Sequence, residues 1–118
     1  MDADRAYEWS ELLKAFAHPT RLQILGELRK GTRCVTDMEE ILPATQVNIS
    51  QHLTVLRNAR LVDFAQDGAL RCYYLCRPKL VEAILDLLAA DLPIVRKTKE
   101  QIDREKERTG KEKVAARG

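Results

Sequence analysis

The dipeptide Asp67-Gly68 stands between two runs of strand character, Leu61 to Gln66 and Ala69 to Cys76. It is the strongest short-range signal for a β-hairpin, because both central residues of a type I′ turn need positive φ. The result reads as a two-stranded ribbon whose polar tip offers Gln66, Asp67 and, just beyond, Arg71. Around this ribbon the apolar residues recur at helical spacing. Trp9, Leu12, Leu13 and Phe16 make one stripe of a helix over roughly Ala3 to Ala17. A second helix begins at Pro19, where a missing N–H is harmless, buries Leu22, Leu25 and Leu28, and stops at Gly31. Thr36-Asp37-Met38-Glu39 matches a capping box and opens a short third helix with Met38, Ile41 and Leu42 inward, ended by Pro43. After the ribbon, Pro78 marks a fifth helix, Lys79 to Asp91, with Leu80, Ile84, Leu87 and Leu88 as its stripe and Pro93 closing it.

The fourth helix, opened by Thr45, has two contrasting faces. Ile49, Leu53 and Leu56 stand four and then three apart and form its buried side. The other side carries Asn48, Gln51, Thr54 and Asn58, with Gln46 and Ser50 near the start and Arg57 beside it. Amides and hydroxyls stand where a solvated helix ordinarily shows Glu and Lys. They offer donors and acceptors without a charge to keep in water, which suits the reading of base edges, since Asn or Gln can bond bidentately to adenine. A polar face is also what a merely solvated surface looks like.

The chain has 118 residues, which bounds it to one domain. Its 45% hydrophobic residues supply an ordinary core, while 32% charged and 5% aromatic residues argue against a membrane protein or a large aromatic pocket. The longest aliphatic run, Leu87 to Ala90, is far short of the roughly 20 residues a bilayer requires. An acidic start with no apolar signal segment points to a cytoplasmic address, and an odd count of three cysteines points to free thiols. Residues 1–95 carry 11 Lys/Arg against 13 Asp/Glu, and residues 96–118 carry 9 against 5. The body is therefore not basic, and nucleic-acid binding has to be argued from local geometry. Residues 1–95 form the expected domain. From Arg96 onward apolar residues thin to Ile102 and Val114 with a few alanines, so a frayed helix passing into disorder is expected over 96–118.

The fold class is mostly α with a β-hairpin wing: the order α-α-α-α-β-β-α is a winged helix-turn-helix, with helices three and four as the reading pair. Four segments make the resemblance specific: Ala17-His18-Pro19-Thr20-Arg21-Leu22-Gln23-Ile24-Leu25, Ser50-Gln51-His52-Leu53-Thr54-Val55-Leu56-Arg57, Leu61-Val62 and Arg71-Cys72-Tyr73-Tyr74-Leu75. In this order and spacing, over about residues 9–92, they resemble the signatures of the ArsR/SmtB family of bacterial transcriptional repressors. The resemblance implies a homodimer built through the first and last helices, which gives Trp9, Leu13, Phe16, Ile84 and Leu88 a partner surface; core within one protomer is the alternative. A twofold dimer implies a double-stranded operator with an inverted repeat. Carried over to this chain, Gln46, Asn48, Ser50 and Gln51 face bases or phosphates, and Arg57 and Arg71 hold the backbone. His52, beside Leu53, is open to two roles, base contact or hydrogen-bond partner that positions the helix. One departure stands out: relatives usually carry Gly where this chain has Arg60, and a left-handed helix cap is costly for Arg, so either Asn58 supplies that conformation or the helix runs on.

Repressors of this family commonly respond to thiophilic metal or metalloid ions, to zinc-type ions, or to thiol oxidation. Cys34-Val35-Thr36-Asp37-Met38-Glu39 resembles the arsenic-sensing segment of one branch, but of its cysteines Cys34 alone remains, which excludes a three-sulfur site confined to that helix start. A zinc site on the last helix is rejected because His18 and His52 lie elsewhere. Cys72 and Cys76 share a strand face but stand roughly 13 Å apart, too far for one ion, whose sulfur ligands lie within roughly 4 Å of each other. In winged helices the extended piece before helix three often pairs with the returning wing strand, which brings Cys34 close to Cys72 or Cys76. Such a pair, alone or completed by a thiol from the other subunit, is expected to hold a soft inducer ion, As(III), Sb(III) or Cd(II), or to form a reversible disulfide with an oxidant or sulfur species; the plain alternative is three small buried hydrophobes. No cofactor is expected for folding. An enzyme is not expected either, since there is no nucleophile elbow, Gly-rich phosphate loop or His-rich cluster. A winged module that binds protein instead of DNA is the remaining alternative, opposed by the amide-rich helix.

Overall fold

The computed structural model describes residues 1–117. Nine elements follow in chain order: α1 (Ala3–Phe16), α2 (Pro19–Lys30), β1 (Arg33–Cys34), α3 (Val35–Ile41), α4 (Gln46–Asn58), β2 (Val62–Asp67), β3 (Leu70–Leu75), α5 (Pro78–Ala89) and α6 (Lys99–Arg117). The core is where the helical stripes meet the base of the hairpin. Ile24, Leu25, Met38, Ile49, Leu53, Leu56, Leu61 and Val81 are buried there, with Phe16 and Tyr73 at its margin. The expected stripe of α4 is realised in full, since Ile49, Leu53 and Leu56 are all at 0% exposure. In α5, by contrast, Val81 is the buried residue while Leu87 and Leu88 face outward. No helix among the described residues is long and apolar enough to cross a membrane.

The three strands form one antiparallel sheet in the order β1-β3-β2. Register pairs Arg33 with Tyr73 and Cys34 with Cys72 on one side of β3, and Phe64 with Tyr73 and Ala65 with Cys72 on the other. The short piece before α3 thus pairs with the returning wing strand, as expected. The hairpin turn lies one residue later than Asp67-Gly68. Asp67 pairs with Leu70, the loop is Gly68-Ala69, and of these two only Gly68 has positive φ, at 62°. That is the pattern of a type II′ turn, which places glycine at the first central position.

Three other boundaries differ from expectation, each for a local reason. Helix α3 starts at Val35, ahead of the Thr36 capping box, because the Asp37 carboxylate accepts the Cys34 backbone N–H at 3.0 Å. Its Ile41, expected inward, is half exposed. At the end of α4 neither Asn58 nor extra helix solves the cap: Arg60 itself takes φ 61°. Leu61 N–H donates to the Leu56 carbonyl and Arg60 N–H to that of Arg57, which is the Schellman arrangement, with Leu56 and Leu61 both buried beneath it. Beyond residue 95, where the sparse apolar residues predict fraying and disorder, α6 runs as a single helix. A reciprocal cap starts it: Thr98 Oγ1 accepts from Gln101 N–H and Gln101 Oε1 accepts from Thr98 N–H. Gly118 lies outside the described residues.

Candidate nucleic-acid interface

Helix α4 is placed by its cap and its underside. Thr45 Oγ1 accepts the Asn48 N–H at 3.3 Å, fixing the first turn, and the three buried aliphatics fasten the helix to the core. The opposite face is then obliged to point outward. Gln46, Asn48, Ser50 and Gln51 are all exposed. Among the described residues the side chains of Gln46, Asn48 and Gln51 make no hydrogen bond within the protein, so their donors and acceptors are free for a ligand. Thr54 differs, since its hydroxyl is returned to the Ser50 carbonyl at 3.0 Å.

The wing brings a charge to this face. Val35, Thr36, Gln46, Ser50, Thr54, Leu70, Arg71 and Tyr73 line one cleft of about 220 Å³ between α3, α4 and β3. Arg71 of the wing and Gln46 and Ser50 of the helix therefore share one hollow. Arg57 stands at the other end of α4. Its Nε donates to Asp63 at 3.0 Å, and its guanidinium lies over the Phe64 ring at 4.4 Å. The Phe64 N–H at 2.8 Å, followed by Arg57, holds the Asp63 carboxyl below the usual carboxylate range.

His52 turns away from the outer face. Its Nδ1 lies 3.2 Å from Arg21, and its ring is 4.2 Å from that of His18, which caps α2 by accepting the Thr20 N–H. Because a guanidinium always donates, His52 Nδ1 is the acceptor and the ring is neutral there. Desolvation, then His18, then Arg21 hold its pKa below the ordinary imidazole value. The same Arg21 caps the end of α1 by donating to the carbonyls of Ala15 and Lys14. This tie between α1 and α4 was not legible as such; the sequence offers only the two motifs that contain its ends.

The cysteines divide two and one. Cys34 and Cys72, opposite each other across β1 and β3, are joined as a disulfide, so the odd-count expectation of free thiols holds for Cys76 alone. The pairing is tertiary, and an odd count says nothing of it. Cys76 is separate, and desolvation with the nearby Asp63 carboxylate raises its thiol pKa, keeping it protonated and a poor nucleophile. Among the described residues no group of three or more His, Cys, Asp or Glu is placed to hold a metal ion. Of the residues assigned to a partner surface, Trp9, Leu13 and Leu88 are 49%, 56% and 67% exposed, and Ile84 is half-buried. Phe16 is instead used in the protomer's own core at 5% exposure, because α1 lies on α2 and α4 along that edge of its stripe.

Residues 18–63, which hold α2, β1, α3, α4 and the start of β2, match the profile described as "Bacterial regulatory protein, arsR family". The chain is 37% identical over 79 residues to the HTH-type transcriptional repressor SmtB of Mycobacterium tuberculosis; the match takes in 67% of this chain and spans 58% of that repressor's length. It is also 37% identical to the biofilm growth-associated repressor of Agrobacterium fabrum, over 73% of this chain and 76% of the relative. Among solved structures, HlyU from Vibrio cholerae superposes with a TM-score of 0.66 at 34% identity, covering 75% of this chain and 94% of HlyU, and a structure described as reduced HlyU is also similar. With the winged fold, the order of its signatures and these likenesses in agreement, the chain belongs to the arsR family of bacterial regulatory proteins.

Proposed function

We propose that this chain is a homodimeric transcriptional repressor that reads an inverted-repeat operator with α4 and is released by oxidation of Cys34 and Cys72. The observation that carries the DNA reading is the outward row Gln46, Asn48, Ser50 and Gln51, uncharged and free of protein partners, held over a fully buried aliphatic underside. Relatives named as repressors support it. The exposed apolar residues Trp9, Leu13, Leu87 and Leu88 on the first helix and α5 support a second copy, which a small reader needs to engage two half-sites.

Of the inducers expected, an oxidant is favoured over a soft ion. Cys34 and Cys72 supply two sulfurs, and Cys76, outside the pair, leaves As(III), Sb(III) or Cd(II) without a third thiolate from the same protomer. The chemistry balances with hydrogen peroxide: two thiols lose two protons and two electrons, the peroxide takes up both and leaves as two waters. Cys34 immediately precedes α3, and Cys72 follows Arg71. A closed bridge therefore ties the start of α3 covalently to the wing strand and restricts their adjustment to a duplex.

The test is anisotropy of a labelled duplex from the chain's own promoter, with protein reduced or treated with peroxide, and with arsenite, antimonite and cadmium as parallel arms. Reduced protein should bind in a strongly salt-dependent manner, and peroxide should weaken binding at least tenfold in the parent and Cys76→Ser but not in Cys34→Ser or Cys72→Ser. No binding at low salt would overturn the DNA reading. Salt-dependent binding indifferent to peroxide, or release by ions alone, would overturn the thiol-oxidation reading and leave the repressor standing.

A further inference from the structure

We propose that Phe64, on the wing, is a positioning residue for DNA binding: its ring carries Arg57 from the recognition helix and Arg71 from the wing, presetting both as one phosphate clamp. The inference rests on the DNA reading above and adds a residue to it. Arg57 lies over the Phe64 ring at 4.4 Å from the centroid and Arg71 at 4.6 Å, both within the reach of cation–π attraction. The ring is itself fixed. Phe64 is half-buried, its backbone N–H is held by Asp63 at 2.8 Å, and its ring leans on buried Tyr73 at 5.3 Å. Register explains the reach of Arg71, because Phe64 pairs with Tyr73 and Gln66 with Arg71, so Phe64 and Arg71 are diagonal neighbours across the hairpin.

The charges around the ring are not balanced. Asp63 takes the Nε of Arg57 and none of its other donors, and Arg71 makes no ion pair among the described residues. Two guanidinium groups on one ring repel each other, and a ring face cannot neutralise them. An anion with several acceptor oxygens completes the arrangement, and a duplex supplies a row of them beside a docked α4. Long arginine side chains ordinarily lose rotamer freedom when they grip a phosphate. Stacking on Phe64 removes part of that loss in advance, and it ties the grip on the wing to the grip at the end of the helix.

The experiment separates the ring's electronics from its bulk. Phe64→Leu keeps an apolar side chain and removes the π face, whereas Phe64→Tyr keeps the face. Binding of the reduced protein to a mixed-sequence duplex is measured over a range of salt. In Phe64→Leu the slope of log K against log salt should become shallower by about 0.9 for each phosphate that is no longer gripped, up to about 1.8 per protomer. Affinity at low salt should drop by roughly two- to fivefold per arginine, and Phe64→Tyr should restore both. A ring that only fills space gives a Leu variant with the parent's slope, which would overturn the inference while the parent's own binding keeps the DNA reading intact. A parent that fails to bind overturns both. The folded, reduced parent offers a check free of substitutions: the Nε–H resonances of Arg57 and Arg71 should move upfield in the ring current of Phe64, and unshifted resonances refute the stacking in the form that binds DNA.

Discussion

Reducing the Cys34–Cys72 bridge should cost the protein a large part of its stability. The bridge joins residues 38 apart in sequence. In the chain-entropy treatment, closing a loop of that length removes about 13 cal/mol/K from the unfolded ensemble, or about 4 kcal/mol at 25 °C. A domain of this size is stable by only about 5–15 kcal/mol, so the bridge is a leading contributor. With an unfolding entropy of about 2.1 cal/mol/K per residue, the loss corresponds to a fall in Tm of about 15–20 °C. The assay is urea unfolding of peroxide-treated and reduced protein at one fixed protein concentration, since the stability of any self-associating chain depends on it. Cys72→Ser should match the reduced parent under both conditions, and Cys76→Ser should match the parent in each. A gap between oxidised and reduced parent of less than about 1 kcal/mol would refute the reasoning, because the unfolded chain would then gain little freedom from the open bridge.

Two other perturbations follow from single contacts. His52 is held neutral with its pKa below the ordinary value, so the stability it contributes is present above the unfolded pKa of about 6.5 and is lost as pH falls through the lowered folded value. The urea midpoint of the parent should therefore drop more between pH 7.5 and 5.5 than that of His52→Gln; equal drops would place the acid sensitivity elsewhere. Arg60 holds a left-handed φ of 61° that glycine adopts freely. Arg60→Gly should raise stability by about 1 kcal/mol in the same unfolding assay, and a loss would mean that the Arg60 side chain contributes more than its backbone costs.

What the sequence revealed and what it concealed divide along physical lines. The buried triad Ile49, Leu53 and Leu56 was legible because helical periodicity is a local property, and so was the outward amide row that it forces to the surface. The hairpin was legible, but its turn slipped by one residue, since Gly68 can supply positive φ at either of two turn positions. That Cys34 would approach the returning strand followed from topology. The choice of Cys72 over Cys76 depended on register, which three strands settle together. Arg21 with His52, and Phe64 with two arginines, join elements that no spacing rule relates. The start of α6 is a different case, because Thr98-Lys99-Glu100-Gln101 carries a capping signal in plain view that the scarcity of apolar residues masked.

The strand order β1-β3-β2 leaves the small sheet with two open borders. One is only two residues long, too short to template anything. The other, β2, has six residues, and apart from the Phe64 N–H, which the Asp63 carboxylate takes, the backbone groups along its outer side have no partner among the described residues, which in many proteins invites a stranger's strand. Here that border carries Asp63, Gln66 and Asp67, so an incoming strand would have to desolvate carboxylates to add itself. A chain whose exposed apolar residues lie on its helices is thereby kept from growing into fibres through its wing.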